Sequence, residues 1–189
     1  MLRELVMKNR SYRRFDQHAV IDMDVLRLLV DMTRYTASAR NMQPLKYMLF
    51  NTPEKNALIF PCLGWAGYLK DWPGPEEGER PSAYIIIMGD RNIAESFDCD
   101  HGIAAQTILL GAVEMGLGGC MIGNINRKQL QNTLSIPSQY TVLLVVALGK
   151  PKETVVIEPM EPTGDIKYWR DNSQVHHVPK RQLDDIIIV

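Results

Sequence analysis

The chain has 189 residues, of which 46% are apolar and 23% charged, and its formal net charge is −1. That composition fits one globular domain with room for a core, and the near-neutral balance argues against a general nucleic-acid binder. No apolar run approaches the roughly 18 residues that span a bilayer, the first ten residues lack the apolar region of a signal peptide, and Cys62, Cys99 and Cys120 offer neither a disulfide scaffold nor a zinc spacing, so a cytoplasmic, reduced protein with no membrane or nucleic-acid partner is expected.

In chain order, Leu2, Leu5 and Val6 form a short helical stripe that ends at Asn9-Arg10-Ser11. Asp22 or Asp24 caps a second helix, with Val25, Leu28, Leu29 and Met32 at helical spacing. Pro44 opens an extended run over 46–50, and Thr52-Pro53 starts a helix that runs to about Phe60. Residues 73–81 (PGPEEGERP) predict an irregular, mobile acidic loop. Residues 83–88 predict a buried strand. Residues 101–115 predict a helix apolar on nearly every side, buried in a core or a subunit interface, with Asp98 and Asp100 capping its start and Gly116 its end. A short strand at 120–122, a helix from Asn126 to about Leu134 with Gln129 at capping-box spacing, and a strong strand over 140–148 follow. The chain therefore reads as a single domain, 1–189, in which 152–189 form an extended tail. The apolar end Ile186-Ile187-Ile188-Val189 would fray unless paired, so the tail docks on its own sheet or on a second subunit.

Four segments carry candidate chemistry. Arg10-Ser11-Tyr12-Arg13-Arg14-Phe15 sets three arginines beside a hydroxyl, which reads either as a phosphate clamp or as a solvated basic turn paired with Asp16. Residues 1–50 carry nine basic and five acidic groups, so an anion prefers this part of the chain. Ser38, Asn41 and Gln43 mix donors and acceptors as a flat heterocycle requires, or else bond their own backbone. Gly116-Leu117-Gly118-Gly119-Cys120-Met121-Ile122-Gly123 is no dinucleotide fingerprint, because Met121 replaces a glycine and the segment follows a helix. It can still let backbone approach a ligand. Trp65, Tyr68 and Trp72 fall on one face of a helix, as core or as a stacking surface. His176-His177 reads as tail surface, no histidine joins a metal template, and no nucleophile signature is present.

Together these segments resemble the nitroreductase family of FMN-dependent flavoproteins. Arg10, Ser11, Arg13 and Phe15 match its R-S-x-R-x-F motif, and Ser38, Asn41, Gln43 and Pro44 match P-S-x-x-N-x-Q-P-W, with Ala37 and Leu45 departing from it. Gly118 and Gly119 resemble the flavin-facing loop, Leu148-Gly149-Lys150-Pro151 the L-G-x-P strand end, and Lys180-Arg181 the basic pair before L-E-E. The resemblance implies an α+β fold, a mainly antiparallel sheet flanked by helices, in a homodimer whose tails are exchanged and whose FMN lies at the subunit interface. It implies that Arg10, Ser11, Arg13, Ser38, Asn41, Gln43, Gly118, Gly119 and Lys180 or Arg181 hold FMN. No side-chain acid or base and no metal is expected, because the cofactor carries the chemistry. The implied activity is NAD(P)H-dependent reduction of a nitroaromatic, quinone or other small flat acceptor by ping-pong hydride transfer. The alternatives are a same-fold flavoenzyme with another acceptor, for example in reductive dehalogenation, and a flavin-binding or storage protein.

Overall fold

The computed structural model describes residues 1–161 and 163–188. Its scaffold is a five-stranded antiparallel sheet. The strands are β1 (Phe15–Asp16), β2 (Leu45–Phe50), β3 (Ala83–Asp90), β4 (Gly118–Ile122) and β5 (Tyr140–Pro151). They run β1-β5-β3-β2, with β4 also on β5. Every residue of β3 is buried, because both faces of the sheet are covered. Tyr84, Ile86, Val145 and Ala147 face one core with Ile59, Trp65 and Leu130. Ile85, Ile87, Val146 and Leu148 face the other with Leu26, Leu29, Ala105 and Ile108. Two-sided burial explains why these strands read as unbroken apolar runs rather than alternating ones.

The helices are α1 (Leu2–Lys8), α2 (Met23–Thr33), α3 (Pro53–Ile59), α4 (Asp100–Glu114) and α5 (Arg127–Leu134). Local chemistry sets several of their ends. Thr52 Oγ1 accepts the Lys55 amide 3.4 Å away and Pro53 sits at the first helical position. Asn126 Oδ1 accepts the Gln129 amide at 3.2 Å. Gly116 follows α4 at φ +74°, the left-handed geometry that ends a helix. On α2 the buried residues are Leu26, Leu29 and Thr33, whereas Leu28 is exposed. On α4 the all-round burial read from the sequence is not what a single chain shows. Ala104, Ala105, Ile108, Leu109 and Ala112 are buried, but Ile103, Gln106, Thr107, Leu110 and Val113 form a half-exposed stripe.

Beyond Pro151 the chain builds a second, three-stranded sheet from β6 (Val155–Pro159), β7 (Trp169–Arg170) and β8 (His176–Lys180). Strand β8 pairs parallel with β6 and antiparallel with β7. The strands of the tail therefore pair with one another through Lys180, as a sheet separate from the main one. The apolar end is unpaired: Ile186 and Ile187 are more than half exposed and Ile188 is fully so, while Val189 lies outside the described residues. The loop at 73–81 is irregular, as expected, but tied down. Arg14 donates from Nε and Nη2 to Glu79 at 2.5 and 2.7 Å, and Gln17 Oε1 accepts the Gly78 and Arg80 amides at 2.8 and 3.1 Å.

Candidate functional site

Strand β1 and a backbone bridge position the arginine segment. Phe15 pairs with Pro151, and the Tyr12 amide donates to the Gly119 carbonyl at 3.0 Å. The residues between are thereby held over the end of the sheet, beside the C-terminal half of α4. There Arg10, Ser11 and Arg13 line a cavity of about 340 Å³ together with Gln106, Leu109, Met121, Tyr168, His176 and Lys180. No carboxylate lines it, so its charge is positive. Arg10 donates from Nη2 to the Val6 carbonyl at 2.7 Å, while its buried Nε has no partner. Arg13 lies over the Tyr168 ring, 4.8 Å from the centroid, and its Nη1 is 3.1 Å from His176 Nε2.

Of the two late basic residues, Lys180 is the one that lines this cavity. Residues 176, 178 and 180 of β8 share one face, and His176, Val178 and Lys180 all line the cavity. Arg181 lines a second pocket with Met160, Ile166 and Ile186, to which Lys180 also contributes. Arg14 does not line the cavity, and its guanidinium is paired with Glu79.

The amide-rich turn lies at the other end of α4. Ser38 Oγ donates to Asp100 Oδ2 at 2.6 Å, the Ala39 amide donates to Asp100 Oδ1 at 3.1 Å, and Ser38 Oγ accepts the Gln43 amide at 2.9 Å. Three side-chain-bearing residues, Arg40, Asn41 and Gln43, are held at φ +51° to +55°, a costly conformation that clusters at ligand sites. Ser38 and Gln43 line a separate pocket of about 180 Å³, and Asn41 and Gln43 are exposed. About ten residues of helix, roughly 15 Å, separate Asp100 from Leu109. One chain therefore gathers Arg10, Ser11, Arg13 and Lys180 in one cavity and holds Ser38, Asn41 and Gln43 apart from it.

A family model described as the Nitroreductase family matches residues 78–150. YodC of Bacillus subtilis (strain 168), an NAD(P)H nitroreductase by name, is 25% identical over 195 residues, covering 87% of this chain and 96% of its own. An NADPH-flavin oxidoreductase of Vibrio harveyi is 38% identical over 89 residues, 46% of this chain and 35% of the relative. Among solved structures, an FMN-dependent nitroreductase from Clostridium difficile R20291 superposes with a TM-score of 0.65 at 24% identity, covering 79% of this chain and 87% of that one. A nitroreductase-like protein from Streptococcus mutans gives 0.67 at 15% identity over 81% and 91%. Over residues 78–150 the chain matches the nitroreductase family model, and across most of its length it is similar to proteins of that name and shares their fold.

As in the nitroreductase family fold, an antiparallel sheet is flanked by helices. Several residues are placed differently from the sequence expectation. Gly118 and Gly119 are buried in β4, and packing accounts for both. A Cβ on Gly118 would lie 2.5 Å from the Tyr12 ring, and one on Gly119 would lie 2.5 Å from the Ala147 carbonyl oxygen. Asp100 does not cap α4 but anchors the Ser38 turn. Trp65, Tyr68 and Trp72 share no helix. Trp65 is buried in the core, 5.8 Å from the Phe60 ring. Tyr68 packs on Tyr168 at 4.9 Å, and Trp72 lies beneath the Arg170 guanidinium at 4.2 Å.

The histidine pair is not simply surface. His176 is fully buried, and burial, then the charges of Arg13, Arg170 and His177, push its pKa down to about 4. His177 stacks on Trp169. Its Nδ1 is 2.7 Å from Glu158 and its Nε2 3.4 Å from Asp171. The Glu158 hydrogen bond leads in raising its pKa, with Asp171 adding to it.

Glu153 and Tyr168 were not singled out from the sequence. The Glu153 carboxylate is fully buried. It pairs with Arg170 at 3.0 Å and accepts the Arg13 and Arg14 amides, the latter at 3.2 Å. Its signal was a lone acid just after the strand-ending proline, which composition cannot distinguish from a surface residue. Among the described residues no cluster suits a metal ion and no helix is long and apolar enough to cross a membrane.

Proposed function

We propose that this chain is an FMN-dependent oxidoreductase that takes electrons from NADH or NADPH and delivers them, in alternating half-reactions, to a nitroaromatic, quinone or similarly flat acceptor in the cytoplasm. One observation carries the reading. Arg10, Ser11 and Arg13, from the start of the chain, and Lys180, from its end, converge on one cavity free of acids. A phosphomonoester suits that cavity, since guanidinium forks and an ammonium match its oxygens and a serine hydroxyl adds a donor. The buried, unpartnered Arg10 Nε is a donor in want of an acceptor. Bound FMN would supply the redox chemistry by accepting and passing on a hydride at its ring.

The chain's own residues bind and orient. Arg10, Arg13 and Lys180 hold the phosphate, and Ser11 donates to it. Gly118 and Gly119 support the clamp from beneath, through the Tyr12-to-Gly119 hydrogen bond. Asn41 and Gln43, exposed on a turn made rigid by Ser38 and Asp100, present amides to the ring edge. They belong to a second copy, because in one chain they stand apart from the cavity. The homodimer in this reading covers the half-exposed stripe of α4, the outer residues Leu2, Val6 and Met7 of α1, and the apolar tail end at Leu183, Ile186 and Ile187. The exposed apolar residues past Lys180 are the part of the tail that reaches the partner in this reading.

The visible spectrum of the purified chain tests the proposal, followed by anaerobic addition of NADH and of NADPH. The flavin band is expected to bleach with at least one of them and to return with a quinone. A protein that stays yellow is a flavin store, and a colourless protein that takes up no FMN overturns the reading. The double variant Arg10→Ala/Arg13→Ala is expected to purify without flavin.

A further inference from the structure

We propose that His176 is a positioning residue that holds the Arg13 guanidinium in place for a bound phosphate. This rests on the FMN reading above. A guanidinium has only donors, so at 3.1 Å from Arg13 Nη1 the His176 Nε2 must accept. The single ring proton then sits on Nδ1, which is buried and unpartnered. The arginine is gripped on further sides by the same tail: its guanidinium lies over Tyr168, and its amide donates to Glu153. The Tyr168 ring in turn packs on His176, with centroids 5.1 Å apart.

Arg13 also donates from Nη1 to the Ser11 carbonyl at 3.2 Å, which leaves its remaining donors to the cavity. A free arginine loses rotamer freedom when it binds. One already held by an acceptor and a ring has less to lose, and that difference becomes affinity.

The charged and titratable groups about His176 are Arg13 on the clamp, Arg170 on β7, and His177 and Lys180 on β8 beside it. All are cationic or neutral, and Glu153 is occupied by Arg170 and the two amides. Protonated His176 would face Arg13 with like charge and no acceptor. The grip therefore needs the neutral ring, which burial favours first and the cationic surroundings reinforce.

The test uses the full chain with His176→Phe, His176→Gln and Tyr168→Leu, titrated with FMN, riboflavin and inorganic phosphate. Phenylalanine keeps a ring without an acceptor, and glutamine puts an amide oxygen near the Nε2 position. His176→Phe is expected to weaken FMN about tenfold, the scale of one hydrogen bond to a charged group, and to leave riboflavin binding unchanged. His176→Gln is expected to recover most of the loss. Tyr168→Leu is expected to show the same selectivity for FMN over riboflavin, and it serves if the phenylalanine variant does not fold. Equal losses for FMN and riboflavin, or no loss of FMN, would overturn the proposal. If wild-type chain binds no flavin, the functional reading fails by itself. The positioning role then stands on the thermal shift produced by inorganic phosphate. It is upheld if that shift is present in wild type and His176→Gln and absent in His176→Phe, and overturned if all three respond alike or none does.

Discussion

Strands β5 and β8 both bury side chains, β5 on two faces and β8 at its first residue, yet they bury different chemistry. In β5, Val145, Val146, Ala147 and Leu148 are wholly covered by aliphatic neighbours on two faces. In β8, the covered residue is His176, and what surrounds it is Arg13, Tyr168 and the ion pair of Glu153 with Arg170. Apolar burial is non-directional and spreads a loss over many neighbours. A buried ion pair concentrates it, because removing one partner strands the other. The sheet tolerates change by degrees, whereas the tail holds or lets go.

Breaking that contrast at its sharpest point gives the largest expected effect. Glu153→Ala leaves Arg170 buried without its partner and frees two amides, so a loss of about 3–5 kcal/mol in urea unfolding is expected. Proteolysis should cut first within 152–180. Ile86→Ala, in the core of the sheet, is expected to cost about 2–5 kcal/mol without exposing the tail to protease. If the two variants give the same cleavage pattern, the sheet and tail are not mechanically distinct. Asp100→Ala strands the Ser38 hydroxyl and the Ala39 amide, at about 1–3 kcal/mol. Its hydrogen exchange should rise at 38–43 and not in the arginine segment.

The smallest effect is a pH profile. His177, paired with two carboxylates, has a folded pKa above the usual 6.5, so its stabilisation is full below 6.5 and is lost as pH rises through the folded value. His176, held near 4, acts in the opposite sense: between about 4 and 6.5 the unfolded chain binds a proton that the native chain refuses, so stability rises with pH. Melting temperature is expected to climb between about pH 4 and 6.5 and to fall above 6.5 as His177 deprotonates, and His177→Ala should abolish the fall alone.

The sheet was readable from sequence because its signals are local. Residues 83–88 and 142–148 are apolar without interruption, Thr52-Pro53 is a helix start by itself, and Asn126 finds its partner three residues away. The site was readable only as residue types. That Arg10, Ser11, Arg13 and Lys180 meet depends on pairing between residues far apart in the chain. So do the roles of Asp100, Glu153 and Tyr168. The Trp65, Tyr68 and Trp72 stripe misled because helical spacing says nothing about whether a helix forms, and Gly64, Gly67 and Pro73 interrupt the segment. His176 was misjudged for a related reason: burial of a polar ring is decided by a partner 163 positions away.

The pairing of Phe15 with Pro151 and Asp16 with Lys150 gives β5 a further task. The arginine segment ends and the tail departs at the same rung, where the Lys152 amide meets the Arg14 carbonyl at 2.9 Å. The far end of β5 is thus a ruler. It sets how many residues separate the last core side chain from Glu153, and adding one would turn that carboxylate to the opposite face, away from the two amides it serves. Residues beyond Glu153 can change without moving that carboxylate, whereas the length of chain before it cannot.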